Sequence, residues 1–170
     1  MFIPTIVAVA RLSQSSRRLL AAARSLAVEA GVPSLEGFHL FLAAARMEKT
    51  RAGRSLPAQA RLVLARTSIA PTQTEETGKN PFLPISPVIE DACCLLAESS
   101  PKVLPEVILS RVFKDDVATR TALEGVLIPD LFRQLEDRML LAGFSATERK
   151  RLLRIRERSA GERNDESGRD

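Results

Sequence analysis

A chain of 170 residues, 45% of them hydrophobic, is long enough for one domain or for two small fused halves with a buried core. Trp and Tyr are absent, so Leu, Ala, Val and Ile must build that core, and a composition rich in Ala and Leu favours helix over sheet. With one His and two adjacent Cys, the chain carries no metal-spaced ligand set and no credible Ser/His/Asp triad, so we expect a non-enzyme without metal or cofactor.

The net charge of +4 is unevenly distributed along the chain. Residues 11–66 hold ten Lys/Arg against three Asp/Glu, a net of +7, whereas residues 71–144 hold seven against twelve, a net of −5. The stretch 145–170 holds eight against six, a net of +2. A basic half fused to an acidic half can steer charged partners or favour head-to-tail self-association.

The first ten residues are apolar but are interrupted by Pro4, and no basic residue precedes them. This pattern is not that of a secretory signal. No stretch approaches the roughly 20 apolar residues of a membrane span. We therefore expect a cytoplasmic protein that does not enter a membrane.

Three helices are predicted in the first half. Ser13 is a plausible N-cap for a helix over 14–30, and Gly31 can adopt the left-handed conformation that ends it. A second helix begins near Ser34 or Leu35 and extends to about position 49. A third runs from Pro57 to about position 67. A polar stretch with several Pro residues, 70–84, then forms the predicted linker between halves.

The second half has clearer helix starts, because proline occupies the first helical position, where its missing N–H costs nothing. Ser86 is a predicted cap before Pro87, and Pro105 repeats this pattern. Asp115 and Asp116 precede a helix over 117–124 that Gly125 would end; as consecutive acids before a helix they indicate capping rather than acid–base catalysis.

The remaining elements complete the chain. An extended run over 126–128 leads to a helix from Pro129 that Gly143 would end. A capping box over 145–148 introduces a basic helix that reaches about position 158. Residues 159–170 are polar, and we expect them to be disordered. The basic helix and the tail form the segments 143–158 and 159–170.

The two halves repeat one helical pattern. Leu12-Ser13 opens the first long helix and Ile85-Ser86 opens its counterpart, an offset of 73 positions between the serines. A break follows in each half, and the second helices, represented by Phe38 and Glu106, are offset by 68 positions. The copies over 11–69 and 85–142 therefore differ by a five-residue loop and indicate an internal duplication.

This repeat resembles the double Clp-N domain, the N-terminal domain of Clp-type AAA+ protein unfoldases. The resemblance covers residues 11–142 and implies two four-helix units related by a pseudo-twofold axis in one all-α bundle. It also implies a non-catalytic role in docking adaptors, substrates or modified peptides. The sequence contains no Gly-x-x-x-x-Gly-Lys-Ser/Thr loop, so the chain is either a stand-alone relative or a domain of a larger machine.

Some members of that family bind phosphoarginine in two acidic pockets, each with a hydroxyl and a carboxylate. Carried over by position, the first pocket would hold Ser13 and Phe38, where the carboxylate is lost. The second would hold Ser86 and Glu106, which keep both groups. The alternative is that Ser86 is a helix cap and Glu106 a solvated first-turn acid. His39, which matches the family's histidine, is expected in a core or helix-start hydrogen bond.

Two further functions remain open. The basic first half and the basic C-terminal helix could contact nucleic-acid phosphates, although no reading motif accompanies them. Alternatively, the oppositely charged halves could assemble an oligomeric scaffold or an accessory protein of a secretion machine. In the docking interpretation, Arg17 and Arg18 would steer a charged protein or peptide partner electrostatically.

Overall fold

The computed structural model describes residues 10–69, 83–142, 147–148 and 150–155. The first half contains helices α1 (Gln14–Glu29), α2 (Gly37–Arg46), α3 (Arg51–Arg54) and α4 (Ala58–Arg66); the second contains α5 (Pro87–Ser99), α6 (Pro105–Asp115), α7 (Val117–Val126) and α8 (Pro129–Leu141). Residues 147, 148 and 150–155 are also helical. The described residues thus confirm an all-α helical bundle. The predicted segment 1–10, linker 70–84 and tail 159–170 lie wholly or mostly outside these ranges.

Helix starts follow the local chemistry in most places. The Ser13 side chain accepts a hydrogen bond from the Ser16 backbone N–H, as an N-cap should. Gly31 has a φ of 65°, which confirms the predicted left-handed end of α1. Pro stands at the start of α5, α6 and α8, as expected.

The structure differs from the prediction in several places. α2 ends at Arg46 rather than near position 49. α2 begins at Gly37 rather than at position 34 or 35, because the Leu35 backbone pairs with the segment that precedes α5. The four-residue helix α3, capped by the Thr50 hydroxyl, was not predicted. α7 continues through Gly125 to Val126 and does not end at the glycine.

Two isolated parallel bridges, Leu12 to Val103 and Leu35 to Ile85, connect the halves reciprocally. Each joins a residue two positions before the first helix of one half to a residue two positions before the second helix of the other. Val103 donates to the Arg11 carbonyl and accepts from the Ser13 N–H, at N···O distances of 2.8 and 2.9 Å. Leu35 does the same with the Pro84 carbonyl and the Ser86 N–H, at 2.8 and 2.9 Å. Backbone pairing therefore runs across the halves, and the duplication stays a prediction.

The centre of the bundle is formed by α2 and α6, the second helices of the two halves. α2 packs on α1, α3 and α4 and crosses to α6 and α7; α6 packs on α5, α7 and α8 and crosses to α2 and α3. Phe41 of α2 and Phe113 of α6 have ring centroids 6.2 Å apart, and Phe132 of α8 lies 6.0 Å from Phe113. One buried cluster spans both halves, so the first turns of α2 and α6 lie where the halves meet.

Candidate functional site

The start of α1 is fixed to the segment that precedes α6. Ser13 is buried, and its backbone N–H donates to the Val103 carbonyl at 2.9 Å. The Ser16 hydroxyl donates to the same carbonyl at 2.8 Å and lies 2.9 Å from the Ser13 hydroxyl. Ser13 therefore caps α1 with its side chain and joins the two halves with its backbone, and its hydroxyl already has hydrogen-bond partners in Ser16.

The start of α5 is joined in the same way to the segment that precedes α2. The Ser86 N–H donates to the Leu35 carbonyl at 2.9 Å, yet the Ser86 side chain makes no capping bond. Ser86 is 6% exposed, and its hydroxyl oxygen has no hydrogen-bond partner among the described residues. The predicted side-chain cap is therefore wrong here, although Pro87 occupies the first helical position as predicted.

The backbone pairing thus connects the two halves, whereas the pockets predicted from the sequence each combined a serine and a helix of the same half. Ser13 is paired with the approach to α6, which carries Glu106, and Ser86 is paired with the approach to α2, which carries Phe38. A long-range exchange of this kind leaves no signal in the local sequence. Position matching alone could not assign each serine to its neighbouring helix.

The first turn of α2 is occupied by core groups. Phe38 is half-buried against the main core, and the buried His39 ring accepts a hydrogen bond at Nδ1 from the Glu36 N–H, at 2.9 Å. Burial lowers the pKa of His39 below its ordinary value, an effect that the neighbouring Glu36 partly offsets. His39 is thus a helix-start acceptor, as the sequence predicted.

Gly37 lies in close contact with the first turn of α7. A Cβ at this position would come 2.2 Å from Thr119 Oγ1, 2.6 Å from Val112 Cγ1 and 3.1 Å from Asp116 Oδ2. The Thr119 hydroxyl donates to Asp116 Oδ2 at 2.5 Å, and Asp116 Oδ1 accepts from the Ala118 N–H, which makes Asp116 the predicted N-cap of α7. The close approach of α2 to α7 therefore requires glycine at position 37.

Glu106, in the first turn of α6, forms an ion pair with Arg51, the first residue of α3. Arg51 Nε and Nη2 each lie 2.7 Å from Glu106 Oε1. The hydrogen bond to Glu106 raises the pKa of the Arg51 guanidinium. The Glu106 side chain is 17% exposed, against 56% for Arg51, so the expectation of a solvated acid is wrong. Glu106 Oε2 is buried without a hydrogen-bond partner in the described part of the chain.

A cleft of about 370 Å³ opens beside this ion pair. Arg54 from α3 and Arg138 from α8 line it together with Arg51 and Glu106. Ser55, Leu141, Ala142 and Leu153 complete its walls. Residues from both halves, and from the helical segment 150–155, therefore meet around the carboxylate that the sequence singled out.

The two residues predicted to steer partners lie elsewhere. Arg17 and Arg18 are exposed on α1 and do not line this cleft. Arg17 Nη2 donates to the Ala10 carbonyl at 3.3 Å, an exposed contact. The structure leaves their steering role as a prediction.

Other chemistry is sparse in the described residues. Their His, Cys, Asp and Glu side chains form no group of three or more that could hold a metal ion. No helix among them is long and apolar enough to cross a bilayer. Cys93 is buried, and burial raises the pKa of its thiol to about 11, while Cys94 beside it is half-buried.

Comparison with known proteins gives no match: no family model, no curated protein and no solved structure is similar to the chain.

Proposed function

We propose that the chain is a non-catalytic protein- or peptide-docking module, a recognition unit for a AAA+ unfoldase or a related cytoplasmic machine. The observation that carries this proposal is the cleft built around Glu106, at the first turn of the second helix of one half. This is the position where the resemblance to the double Clp-N domain places guest-binding residues. The link to that family is an analogy of sequence pattern alone, so the chemistry of the cleft must support the proposed function.

The cleft has properties of a docking site rather than of a reaction centre. It joins polar groups to apolar walls, and its volume lies near the lower end of the ~300–1,000 Å³ usual for ligand sites. Its carboxylate is already paired with Arg51, so no general base is poised at a substrate. We infer that the cleft receives part of a peptide chain.

The chain's own guanidinium occupies the place that the resemblance would give to a guest guanidinium. Arg51 Nε donates to Glu106 Oε1 and Nη2 lies 2.7 Å from the same oxygen, so a phosphoarginine side chain would have to displace Arg51. The Ser86 hydroxyl belongs to the start of α5, which is paired with the approach to α2. The arrangement supports docking at the Glu106 cleft without a pocket for guest guanidinium.

A capture experiment with matched variants tests the proposal. The tagged full-length chain, its Arg138→Glu variant and its Arg133→Glu variant are incubated with nuclease-treated lysate at physiological salt, and bound proteins are identified by mass spectrometry. Arg133 is exposed on the same helix but does not line the cleft. We expect a AAA+ ring or its substrates with the wild type and with Arg133→Glu, and their loss with Arg138→Glu.

Three results would contradict the proposal. Capture of the same proteins by all three chains would remove the cleft as the docking site. Proteins captured from untreated lysate but not from nuclease-treated lysate would favour the nucleic-acid alternative. Salt-dependent self-association in light scattering, with nothing captured, would favour the scaffold of oppositely charged halves.

A further inference from the structure

The cleft around Glu106 carries more positive than negative charge. Arg51, Arg54 and Arg138 contribute three guanidinium groups against the one carboxylate, so its lining residues have a net charge of +2. Arg51 is engaged with Glu106, whereas Arg54 and Arg138 are exposed and come from two different helices, α3 and α8. A guest anion would meet two guanidinium groups there, and a guest cation would be repelled.

Two other features of the cleft narrow the class of anion. Leu141 and Leu153 give it apolar walls. Glu106 Oε2 is a buried acceptor without a partner in the described part of the chain, and an unpaired buried acceptor is costly until a donor reaches it. A guest with a carboxylate for the two arginines, an N–H donor for Glu106 Oε2 and an apolar side chain for the leucines would match each of these groups. A peptide segment offers these groups within two neighbouring residues.

We propose that this cleft binds an acidic peptide segment, with an Asp or Glu side-chain carboxylate on Arg54 and Arg138 and a neighbouring apolar side chain against Leu141 and Leu153. The inference rests on the proposed docking function and adds the chemistry of the guest. Nucleic acid fits less well, because a backbone phosphate brings neither an N–H donor for Glu106 Oε2 nor an apolar side chain for Leu141 and Leu153. In addition, the chain has no Trp or Tyr on which bases could stack.

Fluorescence anisotropy with the full-length protein tests the guest chemistry. The probe is a fluorescein-labelled, C-terminally amidated peptide, Gly-Asp-Leu-Asp-Leu-Gly, and the comparison peptide has Asn in place of Asp. The Asp peptide should bind roughly tenfold more tightly, since each carboxylate can make charge-assisted bonds that the amide cannot. The same Asn peptide with a free C-terminal carboxylate, and a short oligothymidine strand, complete the set of probes.

Substitutions in the protein locate the site. Arg54→Gln and Arg138→Gln should each weaken binding of the Asp peptide about fivefold, as expected for one partly enclosed charge pair. Arg133→Gln, on the same helix as Arg138 but outside the cleft, should leave binding unchanged. Glu106→Gln keeps an acceptor oxygen and removes the opposing charge, so binding should tighten about twofold to threefold.

The possible contrary results separate the guest chemistry from the docking function. Equal affinity for the Asp and Asn peptides, or cleft variants that behave like Arg133→Gln, would overturn the carboxylate preference. If a partner is still captured through the cleft in the lysate experiment, the docking function stands and only the preference falls. Tight binding of the Asn peptide with a free C-terminal carboxylate would show that the guest carboxylate is a chain terminus and not an Asp or Glu side chain. Arginine-dependent binding of oligothymidine without peptide binding would overturn the peptide class itself.

Discussion

Replacing Gly37 by Ala should destabilise the protein markedly, although the position is helical and its φ is not positive. The added Cβ would lie 2.2 Å from Thr119 Oγ1 and 2.6 Å from Val112 Cγ1, where ordinary contacts begin at 3.4 Å. Overpacking of this kind costs about 1–3 kcal/mol. Displacing Thr119 also weakens its 2.5 Å hydrogen bond to the Asp116 carboxylate, worth about 1.5–3 kcal/mol. The higher helix propensity of Ala offsets about 0.5–1 kcal/mol of this cost, so the middle values of these ranges give a net loss of about 3.5 kcal/mol.

Gly125→Ala is the matched control, because a Cβ at this helical position would meet nothing within 4 Å. It should stabilise the protein by about 0.5–1 kcal/mol. Urea denaturation followed by far-UV circular dichroism measures both variants. The midpoint of Gly37→Ala should fall by about 1–2 M if the slope is near 2 kcal/mol per M.

Coupling to the neighbouring hydroxyl gives the sharper test. Thr119→Ala removes one of the atoms that the new Cβ would strike, so the double variant should lose less stability than the sum of the two single variants. Strict additivity, or a Gly37→Ala protein within about 0.5 kcal/mol of wild type, would refute the steric argument.

The serines that precede α1 and α5 should respond differently to replacement by alanine, as measured by urea denaturation. Ser13→Ala loses a capping hydrogen bond and should lower the free energy of unfolding by about 1 kcal/mol. Ser86→Ala removes a hydroxyl that has no partner among the described residues, so it should leave the stability unchanged or raise it. An equal loss at both sites would contradict this. Because burial lowers the pKa of His39, the unfolded chain binds the proton first as pH falls through about 6.5; the free energy of unfolding should then decrease by at most about 1.4 kcal/mol per pH unit, and His39→Gln should remove this slope. A slope unchanged in the variant would argue against His39 as its source. A thiol reagent at pH 8 should label half-buried Cys94 before Cys93, whose thiol has a pKa of about 11, and Cys94→Ser should abolish the faster phase; a retained fast phase would count against this order.

Most of the fold could be predicted because most helix starts are chemically local. Ser13 and Gly31 at the ends of α1, and the prolines that begin α5, α6 and α8, act within one turn of the residue concerned. These signals are present in any short window of sequence, so they required no knowledge of the tertiary structure.

The boundaries that were missed depend on distant parts of the chain. Leu35 would continue α2 by its own propensity, but its backbone hydrogen bonds go to Pro84 and Ser86 instead. Helix α3 is only four residues long, too short for periodicity to indicate it. Gly125 resembled a helix end, yet neither its φ nor its surroundings require glycine.

The sequence singled out Glu106 but gave no indication of the groups that surround it. Glu106 was selected as the carboxylate that the second half retains, and the structure places it in a cleft. Its partner Arg51 is 55 positions away and begins the helix that was not predicted. Without α3, nothing in the sequence distinguishes Arg51 from the other arginines of the basic half, so the expected pocket for a guanidinium could not be recognised as already filled.

The two junctions between the halves differ in chemistry at positions that the predicted duplication would make equivalent. Thr50 and Asp116 cap the third helix of each half, so Arg51 and Val117 are equivalent first residues. Glu106 and Phe38 are likewise the second residues of α6 and α2. The ion pair that joins Arg51 of the first half to Glu106 of the second therefore has apolar residues at the matching positions, an exposed Val117 and a half-buried Phe38. Under the predicted duplication, substitution at one pair of positions would leave only one junction between the halves with the charges that the proposed guest selectivity needs.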